Sequence, residues 1–300
     1  MAELRLWLSL LKLRVVVLLQ VTAIAAILAH DLTDRQLLRT WADTLETALV
    51  VLLGGSMASG GSMAINMWYD RDIDPLMART DRRPLPSGEL APGAVLAYGV
   101  TVCAAGVALL AQFATPLAGA IAGFSALFYV LIYTMWLKRR TPQNIVIGGL
   151  AGALSPLVGW TAAGGVAFEL PLAVLPWGMV AIIFLWTPPH FWALTLARPG
   201  EYARAGVPML PVTAGEAATR RHITAYAVAL LLASLAIGWQ AGLGYPYFAA
   251  AALLGGRFVQ LALVLQRTPT EPAAWAVFGY SNAYLFLLFG AIIADIGWVG

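Results

Sequence analysis

Runs of about 20 apolar residues recur from one end of this chain to the other, and a helix of that length crosses the ~30 Å hydrocarbon layer of a bilayer. With 60% hydrophobic and 11% charged residues, the chain has too few polar side chains to clothe a water-soluble surface around 300 residues. The expectation is an all-α, polytopic integral membrane protein. Apolar windows place nine helices at about 11–29, 46–68, 92–113, 115–137, 144–167, 170–195, 222–242, 245–266 and 276–298.

Charge sets the expected orientation, because Lys and Arg in short loops favour the cytoplasmic side. With the N-terminus inside, 15 of the 18 basic residues fall in inside segments, Arg35 and Arg39 fall outside, and Arg257 lies within the eighth window. The C-terminus is then outside. The formal charge of +3 follows from this topology and does not call for a nucleic-acid partner, for which no fold motif is present. About ten residues precede the first window, with Glu3 among them and no Arg/Ser-rich presequence. This points to a bacterial or archaeal plasma membrane. A single cysteine, Cys103, excludes an intrachain disulfide or a cysteine metal cluster.

Two inside loops, about 69–91 and 196–221, are long and charged. RRPLPSGEL at 82–90 and VPMLPVTAGEA at 207–217 resemble one another faintly, four spans apart. One domain of two weakly related halves, about 1–140 and 141–300, accounts for this.

The first loop carries the densest chemistry. NMWYDRDIDPLMARTDRRPLPSG, residues 66–88, holds four aspartates and four arginines. Asn66, Asp70 and Asp74 recur at i, i+4 and i+8, a ridge that turns about 40° per step on a helix. Asp72 points the other way, and Pro75 ends the helix near Asp74. Hard oxygen ligands one turn apart suit Mg²⁺, which completes its shell with water and substrate phosphate. Arg71, Arg79, Arg82 and Arg83, with Lys138, Arg139 and Arg140 of the next inside loop, supply donors for phosphate oxygens. The same residues also suit a solvated loop with ion pairs, but a ridge entering from the helix end lines a mouth, which fits a ligand with a polar head and a lipid tail.

Three blocks together resemble the UbiA-type intramembrane prenyltransferases: residues 66–88, LKRRTPQNIVIGGLAGALSPLVGW at 137–160, and WTPPHFWALTLARPGEYARAGVPMLPV at 186–212. The second and third are similar to the members whose acceptor is haem. The resemblance implies a helical bundle around a central cavity, with Mg²⁺ and farnesyl diphosphate at the cytoplasmic mouth and haem b (protohaem) as acceptor. It also implies surrounding membrane lipid, with haem A synthase or oxidase assembly factors as candidate protein partners. Carried over by motif, Asn66, Asp70 and Asp74 are the catalytic and metal-binding group, and Arg71, Arg79, Arg83 and Lys138 are the phosphate contacts. Glu201-Tyr202 stands where the family usually has Asp-Tyr, so Glu201 is a further metal ligand with a longer arm and Tyr202 a substrate contact. His190, in an apolar window, is either a packing residue or an iron ligand of the haem acceptor. His30 and His222 sit at span ends. Arg257 pairs within the bundle, snorkels, or meets a haem propionate. Two rivals remain at this point: a prenyltransferase for hydroxybenzoate or chlorophyllide, and a transporter using the acidic ridge as a cation site.

Overall fold

The computed structural model describes residues 2–33, 39–164, 174–198 and 200–299. The expected outside cation Arg35, and the edges of two expected spans at 165–167 and 170–173, lie outside these residues. Among the described residues nine helices are long and apolar enough to cross a membrane.

A short helix α1 (Ala2–Ser9) leads through Lys12 into α2 (Leu13–Thr33), followed by α3 (Trp41–Tyr69). A 3₁₀ turn, Asp74–Leu76, lies in the loop before α4 (Pro92–Phe113). The fourth span runs as α5 (Pro116–Leu127) and then as a π-helical stretch, Phe128–Leu137. The fifth is α6 (Asn144–Ala153) and α7 (Ser155–Ala162), divided just before Pro156. After α8 (Val174–Leu196), the short helices α9 (Glu201–Arg204) and α10 (Leu210–Thr213) form the second charged loop, and α11 (Glu216–Gln240), α12 (Tyr245–Arg267) and α13 (Glu271–Val299) close the bundle.

Three helices, α3, α11 and α13, begin earlier than the apolar windows suggest, and polar chemistry explains the first two. Thr40 and Asp43 cap α3 reciprocally: the Asp43 carboxylate accepts from the Thr40 N–H at 2.6 Å and the Thr40 hydroxyl from the Asp43 N–H at 3.3 Å, which starts the helix ahead of its oily stretch. α11 likewise begins with a polar turn in which Arg220 pairs with Glu216 at 3.3 Å.

In a bilayer, helices associate where small side chains let backbones touch. Gly54, Ala58 and Gly61 of α3 face Gly99, Cys103 and Gly106 of α4. A Cβ at Gly61 would lie 2.4 Å from the Cys103 backbone nitrogen, and one at Gly106 equally close to that of Ala58. The largest buried cluster joins α8, α11, α12 and α13 with α2 and includes Trp186, Trp192, Tyr247, Phe258, Tyr284 and Phe289. Arg257 is exposed on the outer face of α12 and donates to Gln260 at 2.7 Å. It does not line the central cavity, so the propionate expectation is dropped.

Candidate active site

The bundle encloses a cavity of about 640 Å³, within the range of small-molecule sites. Its body is apolar, walled by Leu18, Leu19, Val51, Ala122, Ala126 and Ile183 among others, while Lys12, Asn66, Asp74, Arg79, Arg83 and Lys138 gather where the charged loops meet. Among the described residues Lys12, Arg79, Arg83 and Lys138 line this mouth with one lining carboxylate, Asp74. Even with Asp70 paired to Lys138 behind the wall, the cations are in excess, so the mouth suits an anion.

Asn66, Asp70 and Asp74 do form a ridge, by a different route from the expected one. α3 ends at Tyr69, one turn before Asp74, yet the Asp70 N–H still donates to the Asn66 carbonyl and the Asp74 N–H to that of Asp70, both at 2.9 Å. The helical spacing thus survives to the residue before Pro75. All three side chains are buried, Asp70 at 0% and Asp74 at 1% exposure. A buried carboxylate needs partners, and here they come from other segments. Asn66 Nδ2 donates to Asp70 at 2.7 Å and to Thr134 at 3.2 Å, and its Oδ1 accepts from Lys12 Nζ at 3.2 Å. Asp70 also accepts from Lys138 and from Arg139 Nη2, the latter at 3.4 Å. Arg83 Nη1 donates to Asp74 Oδ2 at 2.7 Å.

The π-helical stretch delivers Lys138. Its N–H bonds to the Tyr133 carbonyl five residues back, at 2.9 Å. Widening of this kind recurs at functional sites. It also stacks Tyr129 on Tyr133, centroids 5.4 Å apart, along the cavity wall. The two charged loops meet through Arg79, which donates to the Tyr202 hydroxyl at 3.3 Å, above a cluster of Ile73, Met77, Tyr202, Val207 and Met209.

Lys12 is the site residue that sequence reasoning passed over, counted there only as an inside charge. It joins α1 to α2 with φ at +47°, the left-handed region that costs a side-chain-bearing residue about 1–2 kcal/mol. Burial, with Arg83 and Lys138 nearby, holds its ammonium well below the usual lysine range. An incoming anion reverses that penalty.

Other expected contacts turn away. Arg71 is exposed, donating to the Trp68 carbonyl at 2.7 Å and lying over the Trp68 ring, so it stands outside the cavity wall. Glu201 is buried beside Arg198 at 3.7 Å and does not line the cavity. Asp72 is exposed and doubly hydrogen-bonded by Arg139 at 2.6 and 2.7 Å. That pairing holds the Asp72 carboxyl below its ordinary range and raises the Arg139 guanidinium. His190 lines the cavity with Trp186 and Phe278.

No three His, Cys, Asp or Glu among the described residues group to hold a metal by themselves; of the expected set, Asn66 is hydrogen-bonded to Asp70 and Asp74 follows one helical step on, whereas Glu201 lies off the cavity wall. The donors nonetheless suit Mg²⁺. Among the described residues Asp74 Oδ1, buried in a residue of the cavity wall, has no hydrogen-bond partner. One or two carboxylates with substrate phosphate and water make an ordinary Mg²⁺ shell.

Residues 12–293 match the model of the UbiA prenyltransferase family. The chain is 50% identical over 256 residues to the protoheme IX farnesyltransferase of Azorhizobium caulinodans, covering 83% of this chain and 80% of that one. It is 45% identical over 303 residues to that of Gluconacetobacter diazotrophicus, covering 98% and 91%. Its fold is similar to that of a digeranylgeranylglyceryl phosphate synthase, with TM-score 0.74 at 19% identity over 99% of this chain and 100% of that one. It is also similar to a UbiA homologue from Archaeoglobus fulgidus bound to DMAPP and Mg²⁺, with TM-score 0.62 at 16% identity over 96% and 99%. A cationic mouth above an apolar intramembrane cavity, with these matches across nearly the whole length, makes this chain a member of the UbiA prenyltransferase family.

Proposed function

We propose that this chain transfers the farnesyl group of farnesyl diphosphate to a vinyl group of protohaem IX, giving haem O and diphosphate. The observation that carries prenyl transfer is the mouth itself: among the described residues Lys12, Arg79, Arg83 and Lys138 line it with Asp74, Asp70 pairing Lys138 from behind, and this cationic excess opens on an apolar cavity. The haem acceptor and farnesyl donor are supported by relatives 45–50% identical that carry the name protoheme IX farnesyltransferase.

In this reaction the farnesyl C–O bond breaks and its electron pair leaves with diphosphate. The vinyl π bond then forms the new C–C bond to the allylic cation, and water adds at the porphyrin-side carbon with loss of a proton. Charge grows on the leaving group, so fixed donors aimed at it lower the barrier. Arg79, Arg83, Lys138 and Lys12 take that role. Asp70 acts one step back by holding Asn66 and Lys138. Asp74, with its unpartnered oxygen, is the residue that would hold Mg²⁺, and a bound Mg²⁺ would supply further charge neutralisation at the diphosphate. The apolar walls keep water from the cation until the C–C bond forms. The basic excess at this end supports a cytoplasm-facing mouth. Cation transport is not favoured, because the mouth is positive.

The test is to incubate membranes containing the protein with haem b, farnesyl diphosphate and Mg²⁺, with and without EDTA, and to separate haems by liquid chromatography with mass detection. A product heavier than haem by a farnesyl and a hydroxyl group, lost with EDTA, is expected. Intact haem and protein with no such product would overturn the proposal.

A further inference from the structure

Among the described residues, side chains of two helices, α8 and α13, converge on the imidazole of His190. Its Nδ1 lies 2.7 Å from the Ser281 hydroxyl of α13. That hydroxyl also lies 2.6 Å from the Phe278 carbonyl, and a carbonyl can only accept. A hydroxyl has one proton, so Ser281 spends it on Phe278 and accepts from His190. Nδ1 therefore carries the imidazole proton, and Nε2 keeps a lone pair. The ring cannot turn: Trp186 stacks on it at 4.2 Å and 23°, Phe278 at 4.6 Å and 29°, and Phe191 meets it edge-on at 5.5 Å. Trp186 is itself pinned, donating through Nε1 to the Ser281 carbonyl at 2.7 Å. His190 is 8% exposed and lines the cavity, and Nε2 has no hydrogen-bond partner among the described residues.

A fixed imidazole whose Nδ1–H is satisfied behind it and whose Nε2 is bare is the arrangement of a metal-ligating histidine. A histidine kept only for packing has no need of a dedicated acceptor for one nitrogen and none for the other. We propose that His190 Nε2 ligates the iron of the haem acceptor, and that Ser281 is the positioning residue that fixes its tautomer and ring plane. This rests on haem being the acceptor. Iron ligation would seat the macrocycle against Trp186 and Phe278, in the cavity that ends at the diphosphate mouth.

The purified full-length protein is titrated with haem b and, separately, with iron-free protoporphyrin IX, followed by absorption and resonance Raman spectra. Product formation is measured in parallel. Wild-type protein should show an iron–imidazole signature. His190→Ala should lose it and bind haem about 10- to 100-fold more weakly, with protoporphyrin IX binding unchanged and the signature restored by free imidazole. Ser281→Ala should keep the ligand but shift the iron–histidine stretch. Equal losses for haem and protoporphyrin IX in His190→Ala, or an unaltered haem spectrum, would overturn the proposal. Wild-type protein that makes farnesylated haem without an imidazole signature would overturn iron ligation alone, whereas protein that neither binds haem nor makes product would overturn the acceptor as well.

Discussion

Arg83 Nη1 lies 2.7 Å from Asp74 Oδ2, and the other oxygen of that buried carboxylate is left without a hydrogen bond among the described residues. One side chain thus anchors a phosphate-facing arginine and offers a hard oxygen to the cavity. Asp74→Asn removes both functions with little change in volume. Prenyl transfer should fall about 10²-fold or more, the usual loss when a group stabilising transition-state charge is removed, and added Mg²⁺ should not restore it. Initial rates measured across a Mg²⁺ titration decide this, and a variant with wild-type rate and Mg²⁺ dependence would remove Asp74 from the metal site.

Lys12 couples proton uptake to substrate binding. Burial and its cationic neighbours depress its pKa, so the free folded protein holds fewer protons there than the unfolded chain between the depressed pKa and the ordinary one, and this contribution to stability rises with pH in that window. Diphosphate favours the charged form and raises the pKa again. Binding of farnesyl diphosphate should therefore take up protons in that window. Calorimetry in buffers of different ionisation enthalpy measures the uptake, which should vanish in Lys12→Met together with a rise in KM. Equal uptake by the variant would assign the proton elsewhere.

The bundle was legible because its rule is one of length and oiliness: a window of about 20 apolar residues has few options in a bilayer. The ridge was legible because Asn66, Asp70 and Asp74 keep helical spacing in a segment that follows an apolar run. Partnership was not. Nothing in the spacing says that Asp70 is taken up by Lys138 and Arg139 from another span, or that Arg71 folds back on Trp68. Lys12 precedes a span, where one cation looks like an ordinary topology signal, and its left-handed backbone has no sequence mark. Ser281 lies 91 residues from the histidine it orients.

Asp72 separates the charges that serve the site from those that decorate it. Its side chain is 58% exposed, and the pairing with Arg139 lowers its pKa. The sign follows: its contribution to stability is present above the unfolded-state pKa and is lost as pH falls through the depressed one. Solvent screening keeps that contribution below about 1 kcal/mol. Asp72→Asn should then shift thermal unfolding only slightly and leave prenyl transfer near wild type. Asp70→Asn strips Lys138 of a fully buried partner and should cost about 3–5 kcal/mol. Matched unfolding curves for the two variants would contradict the division.

Gly148 sets how closely α6 approaches the π-helical stretch. A Cβ there would meet Tyr133 Cδ2 at 2.3 Å, far inside van der Waals contact, and Tyr133 is stacked on Tyr129 in the cavity wall. With alanine, either the helices part or the ring swings into the space meant for substrate. Overpacking of this kind costs about 1–3 kcal/mol, so Gly148→Ala should unfold at lower temperature and show a raised KM for prenyl diphosphate. Gly93→Ala is the matched control: among the described residues nothing lies within 4 Å of its Cβ position in the first turn of α4, where alanine also suits a helix better than glycine. Its stability should be unchanged or slightly higher. Identical thermal shifts and KM values for the two alanines would mean that the α6 contact has slack, and that Tyr133 is not held against the cavity by Gly148.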